Sequence, residues 1–122
     1  MPKAEWPKTW QRIDKHRKAT VRTWRSGEAQ AWSAQNESQA QYNPIELGTD
    51  EVVRDLEMRC VDEGTLIRET AHKRTYFMHT DTVVGVCCGD ETTFVFAEWH
   101  DSGIVHGRPI SVRALKRFGV KL

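Results

Sequence analysis

The sequence predicts an α+β fold: a basic amphipathic N-terminal helix and a polar arm, then a helix, a four-stranded antiparallel meander and a short C-terminal helix. Three observations predict it. Basic residues recur every three or four positions in the first 25 residues, apolar residues repeat with helical spacing over 50–63, and β-branched runs separated by turn residues fill 65–100. Helices segregated along the chain from a run of strands are typical of the α+β class.

Length and composition limit the choice of class further. The 122 residues suffice for one hydrophobic core, and 39% hydrophobic with 29% charged residues is the balance of a globular domain. No apolar run approaches the roughly 18 residues of a transmembrane segment, and the N-terminus lacks the apolar stretch of a secretory signal. We therefore expect a cytoplasmic protein, found in the host cytoplasm or the virion if it is viral.

The first predicted helix covers about 7–25, with Pro7 in its first turn and its end near Ser26 and Gly27. Trp6, Trp10 and Trp24 gather on one side of this helix, and a cationic stripe lies on another. Lysine and arginine at one-turn spacing are suited to neutralise successive phosphates. The predicted stripe consists of Lys8, Arg12, Lys15, Lys18, Arg22 and Arg25.

Charge is segregated along the chain although the net charge is only +1. Residues 1–25 carry eight lysines and arginines, residues 46–69 carry eight acids, and residues 108–122 carry five basic residues and no acid. This pattern indicates an anionic partner, either nucleic acid or an acidic protein surface, and adds Arg113 and Arg117 to the predicted nucleic-acid-binding residues. Alternatively, the acidic segment neutralises the first helix within the fold or in a neighbouring copy.

Residues 28–42 are rich in alanine, glutamine and serine, which predicts a polar helix or a flexible arm that ends before Pro44. We therefore divide the chain into a helix with an arm, 1–47, and a compact domain, 48–122. The compact domain begins with a helix over about 50–63, in which Thr49 or Asp50 is the N-cap and Gly64 the stop.

The rest of the compact domain is predicted to be a meander and a last helix. Turn residues separate four strands, and Gly85 in the third strand marks a bulge or a close backbone approach. An irregular loop over 101–109 leads to a helix over 112–118 that Ser111 caps. The predicted strands are 66–71, 75–79, 83–88 and 92–99.

Chemically versatile side chains are concentrated in residues 98–109, at the end of the last predicted strand. Glu98 and His100 lie on one face of that strand because side chains alternate with a period of two. A carboxylate, two histidines and an arginine are suited to phosphodiester cleavage, with a general base, a general acid and a cation that stabilises the phosphate. The candidate catalytic residues are Glu98, His100, His106 and Arg108, with Arg74 as an alternative cation.

Histidines and cysteines also occur together in the strand region. His72, His79, His100 and His106 accompany the adjacent Cys87 and Cys88, but their spacings follow no established zinc pattern. The sequence therefore predicts neither a metal site nor a cofactor.

Three functions are compatible with these patterns. The leading hypothesis is a small non-catalytic protein that contacts the phosphate backbone of a nucleic acid. The first alternative is a viral or phage structural or inhibitory protein that uses residues 1–47 as an assembly arm in an oligomer or larger assembly. The second is a metal-independent ribonuclease, since a helix followed by a basic meander resembles small bacterial toxin ribonucleases in architecture, although no stretch matches their motifs.

Overall fold

A computed structural model of the protein describes residues 5–122, which form four α-helices and eight β-strands. The helices are α1 (Val21–Arg25), α2 (Glu28–Ser33), α3 (Asp50–Glu63) and α4 (Val112–Arg117). The strands are β1 (Thr9–Trp10), β2 (Gln41–Tyr42), β3 (Thr65–Glu69), β4 (Lys73–His79), β5 (Gly85–Cys87), β6 (Asp90–Thr92), β7 (Phe94–His100) and β8 (Ile104–Pro109). Short 3₁₀ helices cover Asp14–His16 and Glu37–Gln39.

The strands form two sheets, and the α+β class is therefore confirmed. The larger sheet has the order β1-β8-β7-β4-β3 and is antiparallel except that β1 runs parallel to β8. The smaller sheet has the order β2-β5-β6 and is antiparallel. The predicted single meander is correct only in part, because β4 pairs directly with β7 while β5 joins the second sheet.

One face of the five-stranded sheet, which we call the α3 face, packs against α3 and forms the main core. The inward-facing residues of β7 alternate along the strand, as a half-covered strand requires. They are Val95, Ala97 and Trp99, which pack with Val53, Leu56 and Cys60 of α3.

The opposite face, which we call the α4 face, is apolar at one end and polar at the other. Phe96 of β7 packs against Ala114, Leu115 and Phe118 of the α4 segment. Farther along the same face, toward the end of β7, Glu98 and His100 lie beyond this apolar cluster. The polar end of the α4 face thus stands on a rigid sheet but is not part of a core.

The prediction of one helix over 7–25 is wrong, and with it the single cationic stripe. The backbone is extended where the helix should begin, since the Thr9 and Gln11 amides donate to the Gly103 and Val105 carbonyls at 2.8 Å. Pairing with β8 lets Trp10 pack against the α3-face core, which overrides the modest helix propensity. Helix begins only at Val21, where Thr20 forms a capping box.

The irregular loop predicted over 101–109 is also wrong in most of its length, because residues 104–109 form β8. The inward-facing residues of β8 are Val105 and Gly107, and no second apolar face accompanies them. A strand with one polar face and a glycine lacks the apolar signal that sequence patterns detect.

The helices of the compact domain match their predictions closely. The helix predicted over 50–63 is α3, where the Thr49 hydroxyl accepts the Val52 amide and Gly64 follows the last turn. The C-terminal helix is α4, and Ser111 caps it as predicted.

Strand pairing joins residues 1–47 to the compact domain at two points. β1 pairs with β8, and β2 pairs with β5. Residues 1–4 lie outside the described residues, and a role of residues 1–47 in assembly stays a prediction.

Candidate functional site

The structure brings the four candidate catalytic residues together on the α4 face. Glu98 and His100 come from β7, and His106 and Arg108 come from β8, where Glu98 lies opposite His106. Residues that lie opposite each other in a ladder project to the same face, so the four side chains are neighbours. β4 adds a residue that the sequence analysis missed, Lys73, which lies opposite His100. We call Lys73, Glu98, His100, His106 and Arg108 the polar cluster.

Two short contacts hold the centre of the polar cluster. Lys73 Nζ lies 2.6 Å from Glu98 Oε2, and His100 Nε2 lies 3.1 Å from His106 Nε2. The two imidazole rings are stacked, with their centroids 5.1 Å apart. One ring must donate and the other must accept in this hydrogen bond, so the pair holds a proton between its Nε2 atoms.

The surroundings set the charges of two members of the cluster. Burial raises the pKa of the Glu98 carboxyl, but the hydrogen bond and charge of Lys73, with His106 and Arg108, outweigh it and lower this pKa overall. Burial is the main cause that lowers the pKa of His106. The charge of Glu98 raises this pKa, but the positive charges of Arg108 and Lys73 lower it further, and the net shift is downward. At neutral pH the cluster therefore pairs an ionised carboxylate with a neutral His106.

A cavity of about 150 Å³ opens beside the cluster, lined in part by Glu98, His106 and Arg108. The 3₁₀ helix Asp14–His16 supplies Lys15 and His16 to its wall. His16 is buried, its Nδ1 lies 2.8 Å from the Ala40 carbonyl oxygen, and burial lowers its pKa to about 4. His16 falls within the helix predicted over 7–25, and no sequence pattern marks it as part of a site.

Arg108 lies at the end of the polar cluster that is next to the apolar residues packed against α4. Its guanidinium lies 4.6 Å from the centre of the Phe96 ring, and its Nη2 lies 3.4 Å from Glu37 Oε2. Arg108 Nε is buried without a hydrogen-bond partner among the described residues.

Arg74, the alternative cation, does not belong to the cluster. It projects to the α3 face, because it lies opposite Trp99 in the ladder. Its guanidinium is 4.0 Å from the Trp6 ring centre and 5.0 Å from that of Trp99, and its Nε donates to Glu69 at 3.0 Å.

The predicted nucleic-acid-binding residues do not form one stripe. Ion pairs join Lys8 to Asp62 at 2.5 Å, Arg12 to Asp50 at 3.0 Å, Arg22 to Glu28 at 3.6 Å, Arg113 to Asp90 at 3.4 Å, and Arg117 to Glu37. Asp62 and Asp50 belong to α3, so this helix neutralises part of the N-terminal segment within the fold. Lys15, Lys18 and Arg25 are exposed and make no ion pair with another described residue.

Two features are absent from residues 5–122. Within this range, no group of three or more His, Cys, Asp or Glu side chains is arranged to hold a metal ion. The helices of this range include none that is both long and apolar enough to cross a membrane.

Comparisons with protein-family models, curated proteins and solved structures found no match. The interpretation of the site therefore depends on its own geometry.

Proposed function

We propose that the protein binds RNA on the α4 face and cleaves its phosphodiester bonds by acid–base chemistry. One observation supports this most strongly: Glu98, His106 and Arg108 line one cavity, and behind them Lys73 contacts Glu98 and His100 shares a hydrogen bond with His106. Phosphodiester transfer within RNA needs a base, an acid and positive charge for the phosphate, and the polar cluster holds all three.

The roles follow from charge and position. Glu98 takes the proton of the ribose 2′-hydroxyl, and the 2′ oxygen then attacks phosphorus. Arg108 and Lys73 bind the non-bridging oxygens, on which negative charge increases. The bond from phosphorus to the 5′ oxygen breaks as that oxygen receives a proton from the pair of His100 and His106. For this step the pair carries one proton more than two neutral rings hold, with His100 as the imidazolium that donates to neutral His106, and the step leaves two neutral rings. The products are a 2′,3′-cyclic phosphate and a free 5′-hydroxyl.

Binding without cleavage is the second candidate, in keeping with the leading hypothesis from sequence. The observation that favours it is the exposed positive charge of Lys15, Lys18 and Arg25. Lys15 lines the cavity, so the same cations would guide a phosphate backbone toward the polar cluster in either case.

The test is incubation of the full chain with a labelled single-stranded RNA in the presence of a chelator. We expect cleavage with cyclic phosphate ends, no cleavage of DNA of the same sequence, and loss of activity in His100→Ala. The matched control is His72→Ala, because His72 is an exposed histidine that contacts Asp101 outside the cluster.

Three outcomes would overturn the catalytic proposal. They are intact RNA after long incubation, cleavage that His100→Ala retains, and cleavage that a chelator abolishes. Intact RNA together with salt-dependent binding would leave the non-catalytic candidate as the better explanation.

A further inference from the structure

We propose that Arg108 and Arg117 form a second phosphate-binding position next to the polar cluster, and that Glu37 occupies this position in the free protein. The inference rests on the proposed function, because it concerns how RNA is held at the same site. It makes Glu37 an internal competitor of the substrate and makes an oligonucleotide, not a mononucleotide, the preferred ligand.

Glu37 bridges two arginines that come from different parts of the fold. Its Oε2 accepts from Nη2 of Arg108 on β8, and its Oε1 accepts from Nη2 of Arg117 at the end of α4. Glu37 itself lies in the 3₁₀ helix that precedes β2. A carboxylate whose two oxygens engage two guanidinium groups has the charge and donor geometry that a phosphate also matches.

Arg108 has hydrogen-bonding capacity that Glu37 does not use. Its contact with Glu37 is long, at 3.4 Å, and its buried Nε has no partner among the described residues. The Phe96 ring supports the guanidinium plane, so the group is held in place without being fully satisfied. A ligand with more acceptor oxygens than a carboxylate would fit this arginine better.

The proposed phosphate position directly adjoins the polar cluster, because Arg108 belongs to both. Arg108 lines the cavity with Glu98 and His106, and Glu37 joins Arg117 to Arg108 because it contacts both arginines. A polynucleotide presents a phosphate at every residue, so a strand with one phosphate at the cluster brings a neighbouring phosphate near the two arginines. Arg117 also contacts Cys88 Sγ at 3.8 Å, and we assign no role to this contact.

The alternative is that the Glu37 ion pairs only support the fold. In that case Glu37→Gln would lower stability and leave RNA affinity unchanged. If Glu37 competes with a phosphate, the same substitution raises affinity, because the arginines lose their internal anion. The two roles therefore differ in the sign of a binding change.

The experiment measures anisotropy of a fluorescent 2′-O-methyl RNA of about twelve nucleotides, which binds but lacks the nucleophile for cleavage. We expect Glu37→Gln to tighten binding about threefold to tenfold, the scale of a few charge-assisted contacts at a partly exposed site. Arg117→Gln should weaken RNA binding. The double variant Glu37→Gln with Arg117→Gln should gain much less RNA affinity over wild type than Glu37→Gln does alone. A dinucleotide, whose single phosphate contacts Arg108 but not Arg117, should respond to Glu37→Gln less than the longer strand does and should not respond to Arg117→Gln.

The matched control is Glu63→Gln, since Glu63 pairs with Arg59 on α3 at an N–O distance of 3.8 Å and neither residue is a candidate for RNA binding. Thermal unfolding of each variant checks that the fold is kept, and Glu37→Ala is a second variant if Glu37→Gln is unstable. Unchanged or weaker binding in a folded Glu37 variant would overturn the inference, and so would a gain that survives loss of Arg117.

The readout separates this inference from the catalytic proposal. If wild type cuts no RNA but Glu37→Gln binds the methylated strand more tightly, the phosphate position is supported and the catalytic proposal fails. If wild type cuts RNA but Glu37→Gln leaves affinity unchanged, the catalytic proposal stands and the second position is rejected.

Discussion

Glu57 and Glu98 lie on opposite faces of the five-stranded sheet, and their surroundings shift their pKa values in opposite directions. Glu57 of α3, on the α3 face, is 2% exposed and accepts hydrogen bonds from Trp10 Nε1 at 2.7 Å and the Tyr42 hydroxyl at 2.5 Å. Burial raises its pKa to about 7, against these bonds and the charge of Arg17. Glu98, on the α4 face, contacts Lys73, and its pKa is lowered.

The difference shows that one sheet can bury a carboxylate in its core on one face and keep a carboxylate charged on the other. Glu57 joins β1 and β2 to α3, because Trp10 of β1 and Tyr42 of β2 both donate hydrogen bonds to its carboxyl group. These two hydrogen bonds hold the N-terminal segment on the core. Glu98 is surrounded by cations beside a cavity, where its charge is available to a ligand. A low-dielectric site disfavours charge, whereas a half-open cationic site maintains it.

The largest expected effect is on the α4 face, where Glu98→Gln removes the proposed base. RNA cleavage should fall about 10²- to 10⁴-fold, the usual contribution of a positioned base. The free energy of unfolding should change by less than about 1 kcal/mol, since one half-exposed ion pair is lost. Initial cleavage rates and urea denaturation measure the two quantities.

The control for this substitution is Glu91→Gln, at an exposed position on β6. If Glu98→Gln lowers stability strongly and leaves cleavage unchanged, the assignment of the two faces is reversed.

The next effect concerns pH and two buried groups, Glu57 on the α3 face and His16 in the wall of the cavity beside the polar cluster. Glu57 has a folded pKa of about 7 against its ordinary 4.5, so the folded state binds more protons between these values and its contribution to stability falls as pH rises. His16 has a folded pKa of about 4 against 6.5, so its contribution rises with pH over that window. Each contribution spans about 3 kcal/mol, and the two largely cancel in wild type.

Single substitutions should reveal the two opposing contributions. Relative to wild type, Glu57→Gln should gain stability as pH rises from about 4.5 to 7, and His16→Asn should lose stability between about 4 and 6.5. Urea denaturation at half-unit pH steps gives the free energy of unfolding of each variant minus that of wild type. The contributions of the other titrating groups are the same in both proteins and cancel in this difference. Differences of the same sign in both variants would contradict this account.

A smaller effect is expected from Arg74→Ala on the α3 face. Loss of the contacts with Trp6, Trp99 and Glu69 should cost about 1–2 kcal/mol of unfolding free energy. Cleavage should stay near the wild-type rate, because Arg74 lies on the other side of the sheet from the polar cluster. Arg59→Ala, at an exposed site on α3, is the control for loss of an arginine. A large loss of activity in a folded Arg74→Ala protein would place this arginine in the site after all.

The smallest effect concerns the exposed cations near the α4 face. Lys15→Ala and Lys18→Ala should each reduce the slope of log affinity against log salt by about one and leave stability unchanged. The measurement is a salt titration of RNA binding, again with Arg59→Ala for comparison. An unchanged slope in both variants would show that RNA does not pass over this segment.

Local patterns were sufficient for α3, α4 and their caps. In α3 the helical repeat, the Thr49 cap and the Gly64 stop all indicate the same element, and local agreement of this kind makes a helix predictable. Gly85 also behaves as predicted, as a close approach, because a Cβ there would clash with Pro109 and the Gln41 carbonyl oxygen.

The polar cluster was predictable only in part. Glu98 and His100 could be placed on one face by strand alternation. Lys73 could not, because its neighbour in the ladder is set by the pairing of β4 with β7. His16 and Glu37 reach the site from segments distant in sequence, and no local pattern carries that information.

By itself the sequence determined the α+β class, the helix α3 with its cap and stop, and the kinds of side chain that the polar cluster contains. The tertiary structure decided that residues 7–25 are not one helix, that residues 104–109 are a strand, and which cations remain exposed. The physical reason is that helix propensity is worth tenths of a kcal/mol per residue, whereas burying Trp10 beside Glu57 and pairing β1 with β8 are collective gains that only the assembled sheet provides.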